Sequence, residues 1–266
     1  MFVNGKGPFP FILDTGADGS GFYHWFAVQQ KLRAGKPEEL VGMTGSTTVP
    51  TYKVKSLTVD RHTIRNVVGD SFPDRHDAGK QAGIIGNDFM DGEIVVFDFP
   101  CNAVKIIPKP VNIQALLESN AAPVEAGSVR NGTQLTLPVM VNGVEGVAVL
   151  DTGSRDTRIN SHFAAAAGID PTSSTFRDAD IIYGVNSRGM PSRKGPVGTV
   201  WFAGVEVHDA EARVMDLSSY ETFGIAERPA MTLGLDLMQG YRLIYDHEAK
   251  HLWFRPSACG NRADAR

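Results

Sequence analysis

Two aspartates, set in matching short phrases, carry the chemistry open to this chain. Phe11-Ile12-Leu13-Asp14-Thr15-Gly16-Ala17-Asp18 recurs 137 residues later as Val149-Leu150-Asp151-Thr152-Gly153-Ser154. In each copy an apolar run has the character of a buried strand, and a carboxylate follows at once. A hydroxylic residue and a glycine come next, which suits a sharp reversal. A charged group buried alone is strongly unfavourable, so an Asp at the inner end of a strand needs hydrogen bonds or a functional reason. Two of them in matching repeats imply a pair facing each other across a pseudo-two-fold axis. Two carboxylates within hydrogen-bond range resist ionising together, so they share one proton and titrate as a unit. Such a pair can act on one water molecule from both sides: the ionised member takes its proton while the protonated member hydrogen-bonds a carbonyl. Which of Asp14 and Asp151 holds the proton stays open at this level. The plainer alternative is a pair of turn-capping carboxylates satisfied by local N–H groups.

The elements that must position these acids also come in two copies. Val3-Asn4-Gly5 precedes Asp14 and Val141-Asn142-Gly143 precedes Asp151. Asn-Gly is a hairpin turn signal, so each Asp is expected to end the second arm of a hairpin. A helical run follows each Asp: His24 to Ala34, closed by Gly35, and His162 to Ala167, opened by Ser161 as N-cap and followed by Gly168. Further on, Gly83-Ile84-Ile85-Gly86-Asn87-Asp88-Phe89-Met90 parallels Met231-Thr232-Leu233-Gly234-Leu235-Asp236-Leu237-Met238. Gly86 to Pro108 and Gly234 to Pro256 span the same 22 steps without a gap. In that register Asp88 pairs with Asp236, Asp98 with Asp246 and Phe97 with Tyr245, in strand-like runs Ile94 to Phe99 and Tyr241 to Tyr245. We read an internal duplication of roughly a hundred residues. Between these landmarks each copy has a glycine-bearing hairpin, Val41-Gly42-Met43-Thr44-Gly45 and Tyr183-Gly184-Val185 through Gly189. Ile113 to Ser119 reads as a short helix between the copies. The expected organisation is a first lobe over 1–110, a linker over 111–132, a second lobe over 133–258 and a frayed tail over 259–266.

Composition bounds the class. The chain has 266 residues, 42% hydrophobic and 21% charged, which describes a globular protein with a sizeable core. Net charge is -4 without a basic cluster, so neither nucleic acid nor an anionic membrane is indicated as a partner. Gly 28 and Pro 15 favour the many turns of an all-β protein. Cys101 and Cys259 allow one bridge or two free thiols. No 18-residue apolar run is present, hence no helical membrane span is expected. Met1-Phe2-Val3 looks like entry into mid-strand, as if a leader or first strand preceded it.

Asp14-Thr15-Gly16-Ala17-Asp18 with Ile84-Ile85-Gly86 resembles one half of a retropepsin-like (retroviral-type) aspartic protease. Asp151-Thr152-Gly153-Ser154 with Thr232-Leu233-Gly234 resembles the same half in bacterial or pepsin-like form. The resemblance covers about 3 to 108 and 135 to 256. It implies an acid-protease fold: all-β, two pseudo-symmetric retropepsin-like β-barrel lobes and a central cleft, in one chain as in pepsins. It further implies an aspartic endopeptidase with Asp14 and Asp151 as catalytic residues, without cofactor or metal, acting on an extended peptide or protein substrate. Thr15 and Thr152 would turn their hydroxyls inward and hydrogen-bond across the axis. Gly16 and Gly153 would leave room for the close loops and supply N–H groups to the carboxylates. Substrate would meet Ala17, Asp18, Ser154 and Arg155, with the glycine hairpins as flaps presenting Gly42 and Gly45, and Tyr183 as a flap tyrosine of the pepsin kind. A monomer with an intramolecular dyad and a periplasmic or extracellular location are the corresponding expectations.

The sequence also departs from the family. Asp18 matches a retroviral position paired with an Arg just past the hydrophobic-hydrophobic-Gly motif, and here that place is Asn87. In the second copy the equivalent of Asp18 is Arg155, which raises an Asp18–Arg155 pair across the axis. The half-sites are chemically unlike, so an asymmetric substrate is expected. Asp88, Asp98, Asp236 and Asp246 suit caps and turns. His247 and His251 fall in a turn between strands and not on a metal-bearing helix. Two other function classes stay in view: a peptide-binding or scaffolding homologue without turnover, and a dyad acting as acid and base on a small molecule by dehydration or cyclisation.

Overall fold

The computed structural model describes residues 1–75, 79–117, 121–257 and 259. Its chain is all-β, with 49% strand against 13% helix, arranged as curled sheets in two lobes. The last residues of the expected 113–119 helix and the tail from 260 lie outside the described residues; the helix itself runs Ile113–Leu117.

In the second lobe Asn142-Gly143 turns the chain with φ of 50° and 81°, the left-handed pair that a tight hairpin requires. The arms are Gln134–Val141 and Val144–Leu150. From the second arm the sheet continues through Ala230–Leu233, Arg158–Ile159, Val205–Val214 and Gly189–Phe202. Gly189–Phe202 returns to the first arm, pairing Phe202 with Val139 and Val200 with Val141, so the ring of strands closes. Leu135, Leu137, Val139 and Val141 all turn into its core with Ala148, Leu150, Val200 and Phe202.

The first lobe repeats this ring with one break. Phe2–Val3, Thr51–Val59, His62–Phe72, Gly21–Tyr23, Gly83–Ile85 and Ile12–Leu13 follow in the same order. Among the described residues no ladder joins Phe2–Val3 to Ile12–Leu13. The expected hairpin is therefore full-length before Asp151, whereas before Asp14 it turns at Asn4-Gly5 (φ of 52° and 76°) but stays short and irregular. Pro8 and Pro10 explain the difference: neither has an N–H to donate, and the arms are joined by Val3 and Lys6 exchanging bonds and by Met1 and Phe9 doing the same, Phe9 N–H on Met1 O (2.8 Å) and Met1 N on Phe9 O (3.1 Å).

Beneath both lobes lies a sheet contributed by both halves. Glu93–Asp98 pairs with Ala103–Pro108 on one side and with Tyr241–Asp246 on the other, and His251–Pro256 completes the hairpin. Side chains alternate across it as the period of two demands. Val95, Phe97, Leu243 and Tyr245 face the lobes, while Ile94, Val96 and Ile244 face Trp253 and the Ile113–Leu117 helix. The sequence marked both runs as strands, and the pairing of one with the other appears only in the structure. In the stretch between the copies, Val124–Glu125 joins this sheet and Gly127–Val129 joins the second lobe. Cys101 and Cys259 are bridged, with Cα atoms 5.3 Å apart, which resolves the open choice in favour of a disulfide.

Two helix boundaries differ from expectation. The first helix is only His24–Gln29, because Arg33–Ala34 pairs with Lys53 and Tyr52 as a strand. The second is Ser161–Ala166, and its N-cap is Asn160, whose side chain accepts from Phe163 N–H (2.9 Å).

Candidate active site

Each Asp is delivered by a parallel strand pair. Ile12 and Leu13 lie beside Ile84 and Ile85, and Asp14 N–H donates to Ile85 O (2.9 Å). Val149 and Leu150 lie beside Thr232 and Leu233, and Asp151 N–H donates to Leu233 O (3.1 Å). Past the reversal the loops are again held alike. Asn87 N–H donates to Ala17 O (2.9 Å) and Leu235 N–H to Ser154 O (2.8 Å); Asp88 N–H donates to Asp18 O and Asp236 N–H to Arg155 O, both at 3.1 Å. Asp88 and Asp236 accept from Ser20 and Thr157 hydroxyls at 2.7 Å, the structural role expected of them.

Two threonines lock the loops together. Thr15 N–H donates to Thr152 Oγ1 and Thr152 N–H to Thr15 Oγ1, both at 3.1 Å. Each hydroxyl donates onward across the axis, Thr15 to Leu150 O (2.9 Å) and Thr152 to Leu13 O (2.7 Å). Both side chains are buried, so no water can replace these bonds. Thr15→Val is therefore expected to leave Thr152 N–H and Leu150 O unpaired and to lower the unfolding free energy by about 2–4 kcal/mol in a urea titration. Thr15→Ser keeps the hydroxyl and should stay within about 1 kcal/mol of the parent. Equal losses for Val and Ser would contradict this account of the lock.

With the loops locked, the structure brings Asp14 and Asp151 into side-chain contact. Gly16 N–H donates to Asp14 Oδ1 (2.8 Å) and Gly153 N–H to Asp151 Oδ1 (2.9 Å). Each glycine also faces the opposite acid: a Cβ on Gly16 would lie 2.8 Å from Asp151 Cγ, and one on Gly153 would lie 2.4 Å from Asp14 Cγ. Burial and then the neighbouring Asp151 charge push Asp14 well above the ordinary carboxylate range. Burial raises Asp151 too, opposed by the Arg158 guanidinium. Two carboxyl groups so placed resist ionising together.

The remaining expected site residues divide between floor and flaps. Ala17 and Ser154 sit in the Asp loops, with the Ser154 hydroxyl turned inward onto Asp156 O (2.8 Å). The cation on Asp18 is Arg130, 2.8 Å from Oδ2, and Thr133 Oγ1 donates to its other oxygen (2.6 Å). An ion pair is thus present where Asn87 had suggested none, supplied from the stretch between the copies. Asn87 itself donates to Thr15 O (3.0 Å) and Thr133 O (2.7 Å) and accepts from Tyr245 OH (2.7 Å), tying the first Asp loop to the shared sheet. Arg155 lies on the second loop, opposite Asp236.

Both glycine hairpins form: Glu38–Gly42 with Gly45–Val49, and Arg177–Tyr183 with the start of Gly189–Phe202. Their tips meet. Thr44 Oγ1 donates to Asn186 Oδ1 (2.6 Å), Asn186 Nδ2 donates to Thr44 O (2.7 Å), and Gly42 lies against Val185. The first tip also crosses to the second lobe, where Met43 O accepts from Ser218 N–H (2.9 Å) and Met43 packs against the Val149–Ile182–Tyr220 cluster. Gly45 takes φ of 117° in the turn. Ile182 is the flap side chain turned into that cluster; Tyr183 is exposed, its ring against Gly189. Arg130, Thr133, Asn186 and Met43 were missed because nothing local in the sequence ties them to the Asp loops. Arg158 had a signal, since it stands where the first copy has Gly21.

Comparison with known families agrees with this geometry. The sequence model of the aspartyl protease family matches residues 1–89 and 137–237, and each stretch holds one Asp-Thr-Gly phrase. Among curated proteins none matches the chain at a significant level. With more than half of its residues matched, and matched in two copies, the chain belongs to the aspartyl protease family.

Proposed function

We propose that this protein is an aspartic endopeptidase that hydrolyses peptide bonds with a water activated between Asp14 and Asp151. The observation that carries this reading is the contact between two half-buried acids, each held by the N–H of its own glycine. The ionised acid takes a proton from water as the oxygen attacks the scissile carbonyl. The protonated acid hydrogen-bonds the carbonyl oxygen, and a tetrahedral intermediate forms without a covalent enzyme adduct. Collapse of that intermediate breaks the C–N bond as a proton passes to the leaving nitrogen, and the dyad regains its single proton.

Substrate binding follows from the same elements. An extended peptide would lie between the Asp loops and the two hairpins, bonded through its backbone as an added strand. Arg155 in one half and Asp18 in the other make the two ends of the cleft chemically different. The tip contacts between Thr44 and Asn186 must yield for a peptide to enter and can re-form over it, excluding water. The Cys101–Cys259 bridge supports a periplasmic or extracellular setting, where disulfides persist. A single chain supplying both acids supports action as a monomer.

The test is incubation of the purified chain with an unbiased peptide library at several pH values, with new termini identified by mass spectrometry. Cleavage in the middle of peptides, at a consistent set of sites, is the expected result. Tight peptide binding without new termini would replace this reading with that of a binding homologue.

A further inference from the structure

A third charged group stands beside the two acids, on one side only. Seven residues past Asp14 the chain has Gly21, and seven past Asp151 it has Arg158. Arg158 lies on the short strand Arg158–Ile159, between Thr232 of one neighbour and Arg213 of the other. Its side chain is buried, 6% exposed. Nη1 donates to the Ser154 hydroxyl, and Ser154 N–H donates to Asp151 O (3.3 Å). Nε is sealed from solvent and has no hydrogen-bond partner.

A buried guanidinium with an unused N–H requires a compensating negative charge. Asp156 is close in the chain, but Lys194 (2.5 Å) and Arg213 (2.7 Å) occupy its oxygens. Among the described residues no carboxylate makes an ion pair with Arg158. The anion that feels its charge is Asp151, where it opposes the effect of burial. The other titratable groups facing the pair are Tyr220, which bonds Thr232 Oγ1 (3.0 Å), and Tyr245. Burial pushes both phenols upward, so both stay neutral and neither supplies a rival charge.

We propose that Arg158 is a positioning residue that fixes the dyad's proton: its buried guanidinium holds the negative charge on Asp151 and leaves the proton on Asp14. Asp151 is then the base toward water and Asp14 the acid toward the carbonyl. Those two roles rest on the peptidase reading, whereas the placement of charge does not.

The test follows the two carboxyl groups by carbon-13 NMR through a pH titration, in the parent and in Arg158→Met and Arg158→Lys, beside the pH profile of kcat/KM. In Arg158→Met the lower apparent pKa of the pair should rise by about one to two units, carrying the acid limb of the profile with it. Arg158→Lys should restore most of the difference, which a purely structural role would not require. Should Arg158→Met fail to fold, the Asp14→Asn and Asp151→Asn proteins give the answer with Arg158 intact. The acid left in Asp14→Asn should titrate at least about one unit below the acid left in Asp151→Asn. The reverse order, or a folded Arg158→Met whose carboxyl titration matches the parent, overturns the proposal. Because the titration needs no turnover, the expected order in a chain that cleaves no peptide would uphold the charge placement and refute the peptidase reading alone.

Discussion

Asp14→Asn and Asp151→Asn should each lose at least about 10³-fold in peptide turnover while remaining folded. Asparagine keeps the shape and can still accept the Gly16 or Gly153 N–H. It cannot exchange a proton, so no ionised acid remains beside a protonated one. The fold should benefit in a pH-dependent way. Burial and the partner's charge raise Asp14 well above its ordinary value, and burial raises Asp151. A raised carboxyl contributes stability that is fully present below its unfolded-state pKa and is lost as pH rises through its folded-state value. At acid pH the parent and Asp14→Asn should therefore melt alike, and toward neutral pH Asp14→Asn should melt higher, whereas Asp151→Asn also leaves the buried Arg158 without its anion and should gain less or lose. Thermal scans across that range, alongside kcat/KM, check both halves. A variant cutting peptides at the parental rate would exclude the mechanism, and Asp14→Asn melting lower than the parent at neutral pH would exclude the electrostatic account.

The second large effect is expected at the glycines. In Gly153→Ala the new Cβ would stand 2.4 Å from both Cγ and Oδ2 of Asp14, and in Gly16→Ala 2.8 Å from Asp151 Cγ. Neither acid can retreat freely, since each already touches the other and accepts a glycine N–H. The carboxyl groups must separate or the loops must shift, and a displacement near 1 Å costs about 10²-fold in rate. Gly153→Ala should fall by at least about that factor, Gly16→Ala by less, each with about 1–3 kcal/mol of overpacking strain. Gly240 has open space around it, so Gly240→Ala should match the parent and serve as the control. Retention of parental kcat/KM by Gly153→Ala would show that the two loops are not in this close register.

How much of this was legible in the sequence follows from where each signal lay. The Asp loops and the Gly86 and Gly234 turns were legible because they occur twice in one register, and a pair of copies specifies an axis as well as a strand. Glu93–Asp98 and Tyr241–Asp246 were legible as strands. Their mutual pairing was not, because alternation fixes which face is buried and says nothing about which edge meets which. The His24 helix was read too long because Arg33–Ala34 has no local strand character. It is an edge recruited by Lys53 and Tyr52. The Asn4-Gly5 turn was legible and forms; the shortness of its hairpin comes from Pro8 and Pro10, which cannot donate to a ladder. Arg130 escaped notice because it lies in what looked like a linker, and its partner Asp18 is more than a hundred residues away.

The mismatch of Gly21 and Arg158 has a hereditary consequence. An assembly of two identical subunits repeats every mutation across its two-fold axis, so an arginine gained on one flank is gained on both. Two such cations would favour two anions, and the division of labour between the acids would dissolve. Descent as one polypeptide frees each flank to mutate alone, and handedness in the reaction can then be selected.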